Sequence, residues 1–262
     1  MTKKLLIIAG SDSGGGAGLQ ADIKTACYHK IHSSTIVTSL TAQNTKGVFA
    51  IHNPDVYFLK KQLEVIFQDI EFDAIKIGML ANHKIAEMIY YTLKSQNNIK
   101  NIVLDPVMIS TSGDVLLEKS AINFFKQKML SLATIITPNI DEAEILSDMK
   151  IGNIDDMKLA AQKIKNLGAK NILIKGGHLK NNDNKIYNLL LTEDNSYHLI
   201  SNKKIYNKQF HGTGCSLASA ISCNLCQEFN VFESVKKANK YVYKAIKNSF
   251  KIGEGANILC HF

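Results

Sequence analysis

The sequence predicts an α/β fold in three layers, a mainly parallel central sheet covered by helices on both faces. Short strand-like apolar runs alternate with longer amphipathic stretches, the pattern of repeated βαβ units. Residues 155–167 are one such stretch, with Met157, Ala160, Ala161, Ile164 and Leu167 at helical spacing before Gly168 stops the helix. Polar and glycine-rich residues follow directly on the apolar runs, where open parallel sheets bind their ligands.

The strand candidates are residues 5–9, 34–40, 74–77, 102–104, 134–137 and 171–175, followed by a hairpin of 186–191 and 197–200. A chain of 262 residues, 45% of them hydrophobic, buries a full core. With no linker, repeat or low-complexity stretch in it, it reads as one domain spanning 1–262. No apolar run is long enough to cross a bilayer. The N-terminal run after Lys3-Lys4 is too short for a signal peptide, so it reads as a first buried strand. Five cysteines, an odd number, point to reduced thiols and a cytoplasmic setting.

The formal net charge of +8 rests on lysine alone, because the chain contains no arginine. The lysines are dispersed. Even the dense run 236–244 reads as the solvated face of an amphipathic helix, with Val235, Ala238, Val242 and Ile246 opposite, rather than a nucleic-acid site. Without arginine, any phosphate clamp must use lysine, backbone N–H groups or a metal.

Five segments carry candidate chemistry. In His211-Gly212-Thr213-Gly214-Cys215 a flexible turn runs into an apolar helix, whose free N–H groups and dipole form an anion site. Cys215 stands at that helix start, where a thiol pKa is expected to fall; the same residues also read as a glycine turn before a structural cysteine. The cluster from Gly10 to Gly18 matches neither a Walker A loop nor a dinucleotide fingerprint. It reads as bare backbone that a flat ligand can approach, with the following helix carrying Asp22 toward the same mouth.

Asp105-Pro106 puts a carboxylate at a strand end, where it serves a ligand or an Asx turn. Asn139 and Glu142 have capping-box spacing, which capping alone explains. Lys175 ends an apolar strand, an expensive place for an unpaired ammonium. Cys223 and Cys226 lie inside a helical pattern and read as core, and the histidines show no metal-binding spacing.

In order and spacing, these segments resemble the hydroxymethylpyrimidine/phosphomethylpyrimidine kinases of the ribokinase superfamily. The likeness takes in Ala9–Asp22, Thr41-Ala42-Gln43-Asn44-Thr45, Lys76-Ile77-Gly78-Met79-Leu80, Asp105-Pro106-Val107-Met108 and Thr111-Ser112-Gly113-Asp114. It continues through 137–142 and 175–178 to 211–215. The resemblance implies a ribokinase-like fold, ATP and Mg²⁺ as cofactors, and a homodimer without nucleic-acid or membrane partners.

It implies site roles too. Asp22 and Gln43 would read the pyrimidine, with Gly10, Met79 and Val107 against the flat ring. Gly212, Thr213 and Gly214 would form the anion hole. Asn139 and Glu142 would order magnesium, with Asp105 as a further metal-organising carboxylate and Lys175 neutralising phosphate. Cys215 stands where most of the superfamily has an aspartate base. The C-terminal run from Gly253 to Phe262 keeps Gly-x-Gly and His-Phe of the family's nucleotide-side tail but lacks its proline. Of that pocket the likeness assigns Gly253, with Asn139 and Thr213. Pyridoxal kinases of the same superfamily are the alternative, a silent pyrimidine- or nucleotide-binding regulator the remoter one.

Overall fold

The computed structural model describes residues 2–96, 98–108, 119–179, 184–206 and 209–262. The chain opens with β1 (Lys4–Asp12), α1 (Gly18–Tyr28), β2 (His32–Asn44), β3 (Gly47–His52), α2 (Val56–Asp69), β4 (Ala74–Ile77), α3 (His83–Lys94) and β5 (Ile102–Leu104). It continues with α4 (Lys119–Gln127), β6 (Ile135–Ile136), α5 (Ile140–Ser147), α6 (Ile154–Asn166), β7 (Asn171–Lys175), β8 (Lys185–Leu191) and β9 (Tyr197–Lys203). The last elements are β10 (Phe210–His211), α7 (Thr213–Cys226), α8 (Val231–Lys247) and β11 (Asn257–Ile258).

The main sheet has the order β3-β2-β1-β4-β5-β6-β7-β8-β9. The pairings from β2 through β7 are parallel, and antiparallel strands β3, β8 and β9 extend the two edges. Alternation along β1 shows why three layers form. Leu6 and Ile8 pack with the core beneath α2 to α6, while Leu5, Ile7 and Ala9 face the side held by α1 and α7. Both faces are apolar, so both must be covered. A two-stranded parallel pair, β10 with β11, ties the C-terminal run to the segment just before α7.

Most expected elements match within a few residues. Gly168 ends α6 in a positive-φ conformation, φ +109°, as its position after the helix predicts. The strand expected at 34–40 runs on to Asn44 because β3 pairs with it antiparallel, with a bulge between Ala42 and Gln43. That hairpin strand was not anticipated: its residues are largely exposed on an edge, so they lack a burial pattern. Among the described residues, no helix is long and apolar enough to cross a membrane. On α8, Val235, Ala238 and Val242 are buried while Lys237 and Lys244 lie over the rings of Phe229 and Tyr28.

Candidate active site

The turn before α7, the candidate anion site, is built by backbone geometry. Gly212 caps α7 at φ +79°, and a β-carbon there would sit 1.9 Å from the carbonyl oxygen of Gly16. Only glycine permits that packing of the turn onto the first glycine loop. The first bond of the helix runs from the Ser216 N–H to the Gly212 carbonyl, 3.0 Å. The N–H groups of Thr213, Gly214 and Cys215 therefore precede the helical ladder and stand as its N-terminal donors.

Lys175 and Asp105 lie beside this turn: a β-carbon on Gly214 would be 3.3 Å from Lys175 Nζ and 3.6 Å from Asp105 Oδ2. Asp105, buried at the end of β5, accepts from Lys175 Nζ at 2.7 Å and from Thr137 Oγ1 at 2.9 Å. Burial pushes its pKa up, but Lys175 and Lys76 outweigh that and hold it below the ordinary range. Asn139 and Glu142 form a full capping box on α5. Glu142 Oε2 accepts from the Asn139 N–H at 2.7 Å and lies 3.9 Å from Lys175 Nζ. Burial, reinforced by Asp105, pushes the Glu142 carboxyl up to about 7 against the pull of Lys175.

These groups fit a hard divalent cation. Glu142 and Asp105 share one ammonium between two buried carboxylates, and burial, with Asp105 beside it, drives Glu142 toward protonation. Magnesium needs only one or two protein carboxylates when phosphates and water complete its shell. No cluster of three or more His, Cys, Asp or Glu able to hold a metal occurs among the described residues.

Beneath the turn lies a second ion pair. Lys76 Nζ donates to Asp22 Oδ2 at 2.7 Å, and Ser219 Oγ donates to Asp22 Oδ1 at 2.6 Å. Both charged side chains are wholly excluded from solvent. This departs from the expectation for Asp22: it is fully buried and both its oxygens are engaged, so the role the structure gives it is to hold Lys76. Burial opposes the Lys76 charge, but Asp22, Cys215 and Asp105 keep its pKa above the ordinary value.

The thiol also departs from expectation. Cys215 is only partly exposed, and burial, with Asp22 and Asp105 nearby, pushes it up to about 11. Lys76 and the Gly18 N–H pull the other way and do not prevail. The helix start is present, but it competes with desolvation and with two carboxylates that local sequence does not reveal.

The opposite end of the pentapeptide meets the first glycine loop. Asp12 gathers that loop: its carboxylate accepts from the N–H groups of Gly14, Gly16 and Ala17 at 2.8, 3.0 and 2.8 Å. Asp12 Oδ2 also lies 3.0 Å from His211 Nε2. Gln43, aimed by the bulge in β2, places its amide nitrogen 2.9 Å from His211 Nε2 and its oxygen 3.0 Å from Thr41 Oγ1. Gly10 lies against Met79, whose sulfur would be 3.1 Å from a β-carbon there. Val107 is half-buried two residues after Asp105.

Gly253 lies beside the edge hairpin. It packs on Thr45, at the tip of the hairpin that carries Gln43, across the sheet from Asn139. His261 is buried behind the site, 2.7 Å from the hydroxyl of Tyr241. Residues 111–114 lie outside the described residues. Lys76, Asp12 and His211 had not been singled out. A lysine inside the apolar strand Ala74–Ile77 is the signal that could have found the first, by the reasoning applied to Lys175.

The family model for phosphomethylpyrimidine kinase matches residues 12–260. The hydroxymethylpyrimidine/phosphomethylpyrimidine kinase of Aquifex aeolicus is 43% identical over 97% of this chain and 98% of its own. The structure of a phosphomethylpyrimidine kinase from Clostridium difficile aligns with TM-score 0.82 at 40% identity, over 94% of this chain and 100% of that one. A Bacillus subtilis pyridoxal kinase in an ADP complex aligns with TM-score 0.90 at 33% identity, over 100% of this chain and 98% of that one.

Proposed function

Because this chain belongs to the phosphomethylpyrimidine kinase family, we propose that it phosphorylates 4-amino-5-hydroxymethyl-2-methylpyrimidine with ATP. A second transfer then converts the monophosphate to the diphosphate for thiamine diphosphate biosynthesis. One observation carries this reading: a single pentapeptide, 211–215, touches Gln43 at one end and Lys175 with Asp105 at the other. A polar group able to read a ring edge and a turn backed by a lysine thus stand at the two ends of one short segment.

Phosphoryl transfer asks chiefly for positioning and charge neutralisation. The N–H groups at the start of α7 receive the transferring group, and Lys175 supplies the fixed cation in a chain without arginine. Asp105 holds that ammonium in place. Gly10, Met79 and Val107 offer the flat surface for the ring. Glu142, Asp105 and Asn139 would hold Mg²⁺, which would supply positive charge against the nucleotide phosphates. The free Cys215 thiol is protonated at neutral pH, so it can take the alcohol's proton only when cations in the loaded site lower its pKa. The monophosphate, already an anion near neutrality, needs no base.

The homodimer of this reading covers the exposed apolar side chains Leu40, Phe49 and Ile51 on the edge hairpin and Tyr57 and Phe58 on α2. The free cysteines suit a reducing cytoplasm. Likeness to pyridoxal kinases supports a second reading, with pyridoxal as acceptor. Turnover of hydroxymethylpyrimidine, its monophosphate and pyridoxal, measured side by side, separates the two. Faster turnover of pyridoxal than of both pyrimidines overturns the first.

A further inference from the structure

The amide of Gln43 sits among three polar groups, and their hydrogen count decides which way it faces. A glutamine amide is an oxygen and an NH₂ of nearly equal size, so a 180° turn exchanges acceptor for donor without moving the side chain. One end lies 2.9 Å from His211 Nε2, the other 3.0 Å from Thr41 Oγ1.

His211 Nε2 also lies 3.0 Å from Asp12 Oδ2. Asp12 accepts three backbone N–H groups, and this environment keeps it ionised, with its pKa lowered by His211, Ala17 and Gly14 against the upward push of burial. An ionised carboxylate only accepts, so the hydrogen in that contact belongs to His211 Nε2. A nitrogen carrying that hydrogen cannot accept a second one from the amide. With NH₂ facing the imidazole, two donors would meet at 2.9 Å.

Turning the amide removes the conflict. Its oxygen then shares the His211 hydrogen with Asp12. Its NH₂ reaches Thr41 Oγ1, which spends its own hydrogen on the Ser11 carbonyl at 2.8 Å and is free to accept. Every donor then faces an acceptor.

We infer that His211, backed by Asp12 and Thr41, is a positioning residue that locks the Gln43 amide with its oxygen toward the imidazole and its NH₂ toward Thr41. The inference rests on the substrate reading above and deepens it. The locked amide keeps one N–H and one oxygen lone pair in fixed order. That order complements an edge with a ring nitrogen beside an exocyclic amine. It opposes the same ring with a carbonyl beside a ring N–H, where donor would meet donor and acceptor would meet acceptor. An amide free to turn would serve both. Rejection of the 4-oxo analogue is thus set by His211 and Thr41, which need not touch the ligand.

Two measurements test this. Long-range ¹H–¹⁵N spectra of the histidine rings report where His211 carries hydrogen. A protonated Nε2 is expected, and a bare Nε2 overturns the lock. The second is the kcat/KM ratio of hydroxymethylpyrimidine to its 4-oxo analogue. In the unaltered protein it should be on the order of ten-thousandfold, the discrimination of a site built to pair a polar edge. His211→Leu and Thr41→Val should each lower it by about tenfold or more, chiefly through better use of the oxo analogue. Thr41→Ser should keep the original ratio.

Equal losses on both substrates, with the ratio preserved, would make His211 and Thr41 merely structural and overturn the proposal, as would an unaltered ratio near one. Thr41→Val lies away from the anion turn and decides the matter if His211→Leu does not fold. If instead Gln43→Leu leaves hydroxymethylpyrimidine turnover unchanged, the placement of Gln43 in the pocket fails, and the ring spectra still report on the lock itself.

Discussion

Lys76 Nζ and Asp22 Oδ2 lie 2.7 Å apart with both side chains wholly excluded from solvent, and Ser219 of α7 donates to the other oxygen of Asp22. Such a pair is costly to break one-sidedly, because the partner is left as a lone buried charge. Lys76→Met should therefore destabilise the protein by about 3–5 kcal/mol in urea unfolding. Asp22→Leu combined with Lys76→Met should recover much of that loss. A double variant no more stable than Lys76→Met would show that the charge left on Asp22 is not what costs stability.

Gly212 makes a second sharp expectation. Alanine there meets the Gly16 carbonyl 1.9 Å away, in a left-handed backbone conformation. Gly212→Ala must push the anion turn off the first glycine loop. Turnover should fall by about a hundredfold or more, the scale expected when reacting groups shift by an ångström. Wild-type kcat/KM for both phosphorylations would show that the turn does not need that contact.

Glu142 links stability to pH. Its folded pKa, about 7, stands above the ordinary value of 4.5, so the folded state holds the proton more tightly than the unfolded one. Its stabilising contribution is complete below about pH 4.5 and is lost as pH rises through 7. Glu142→Gln, a neutral isostere, escapes that loss. It should be the more stable protein at pH 8, by on the order of 3 kcal/mol, with the gap closing toward pH 4.5. Parallel stability curves across that range would show that Glu142 titrates normally. The same variant should need more magnesium for half-maximal activity.

What could be read from the sequence divides along physical lines. The alternation that gives the sheet is local, so β4, β5 and β7 were found to the residue. Glycine turns and the Asn139–Glu142 box are local too, and they fold as read. Contacts between distant segments were not legible. Asp22 lay in the right stretch, but only the fold shows that Lys76 and Ser219 consume its carboxylate. His211 stood at the edge of the most conspicuous motif and drew no attention, because its partners Asp12 and Gln43 lie far away in sequence. The Cys215 pKa failed for the same reason: a helix start is visible locally, whereas burial and two carboxylates are not.

Cys215 gives the prediction that bears most directly on mechanism. With its pKa pushed up to about 11, the free enzyme holds only a minute fraction of thiolate at neutral pH. Alkylation should therefore be slow at Cys215 and faster at the exposed Cys27. Fastest labelling at Cys215 would restore the low-pKa picture. Cys215→Ala keeps the backbone N–H groups of the turn, so phosphate binding should survive. If the thiol is the base for the alcohol, phosphorylation of hydroxymethylpyrimidine should fall by roughly two to four orders of magnitude. Phosphorylation of the monophosphate should fall far less, because that acceptor is already charged near neutrality. The unaltered enzyme should show the matching signature, the alcohol reaction rising with pH above neutrality and the monophosphate reaction lacking that rise. Equal losses in both reactions, with superimposable pH profiles, would remove the thiol from proton transfer and leave it a packing role between Gly18 and the anion turn.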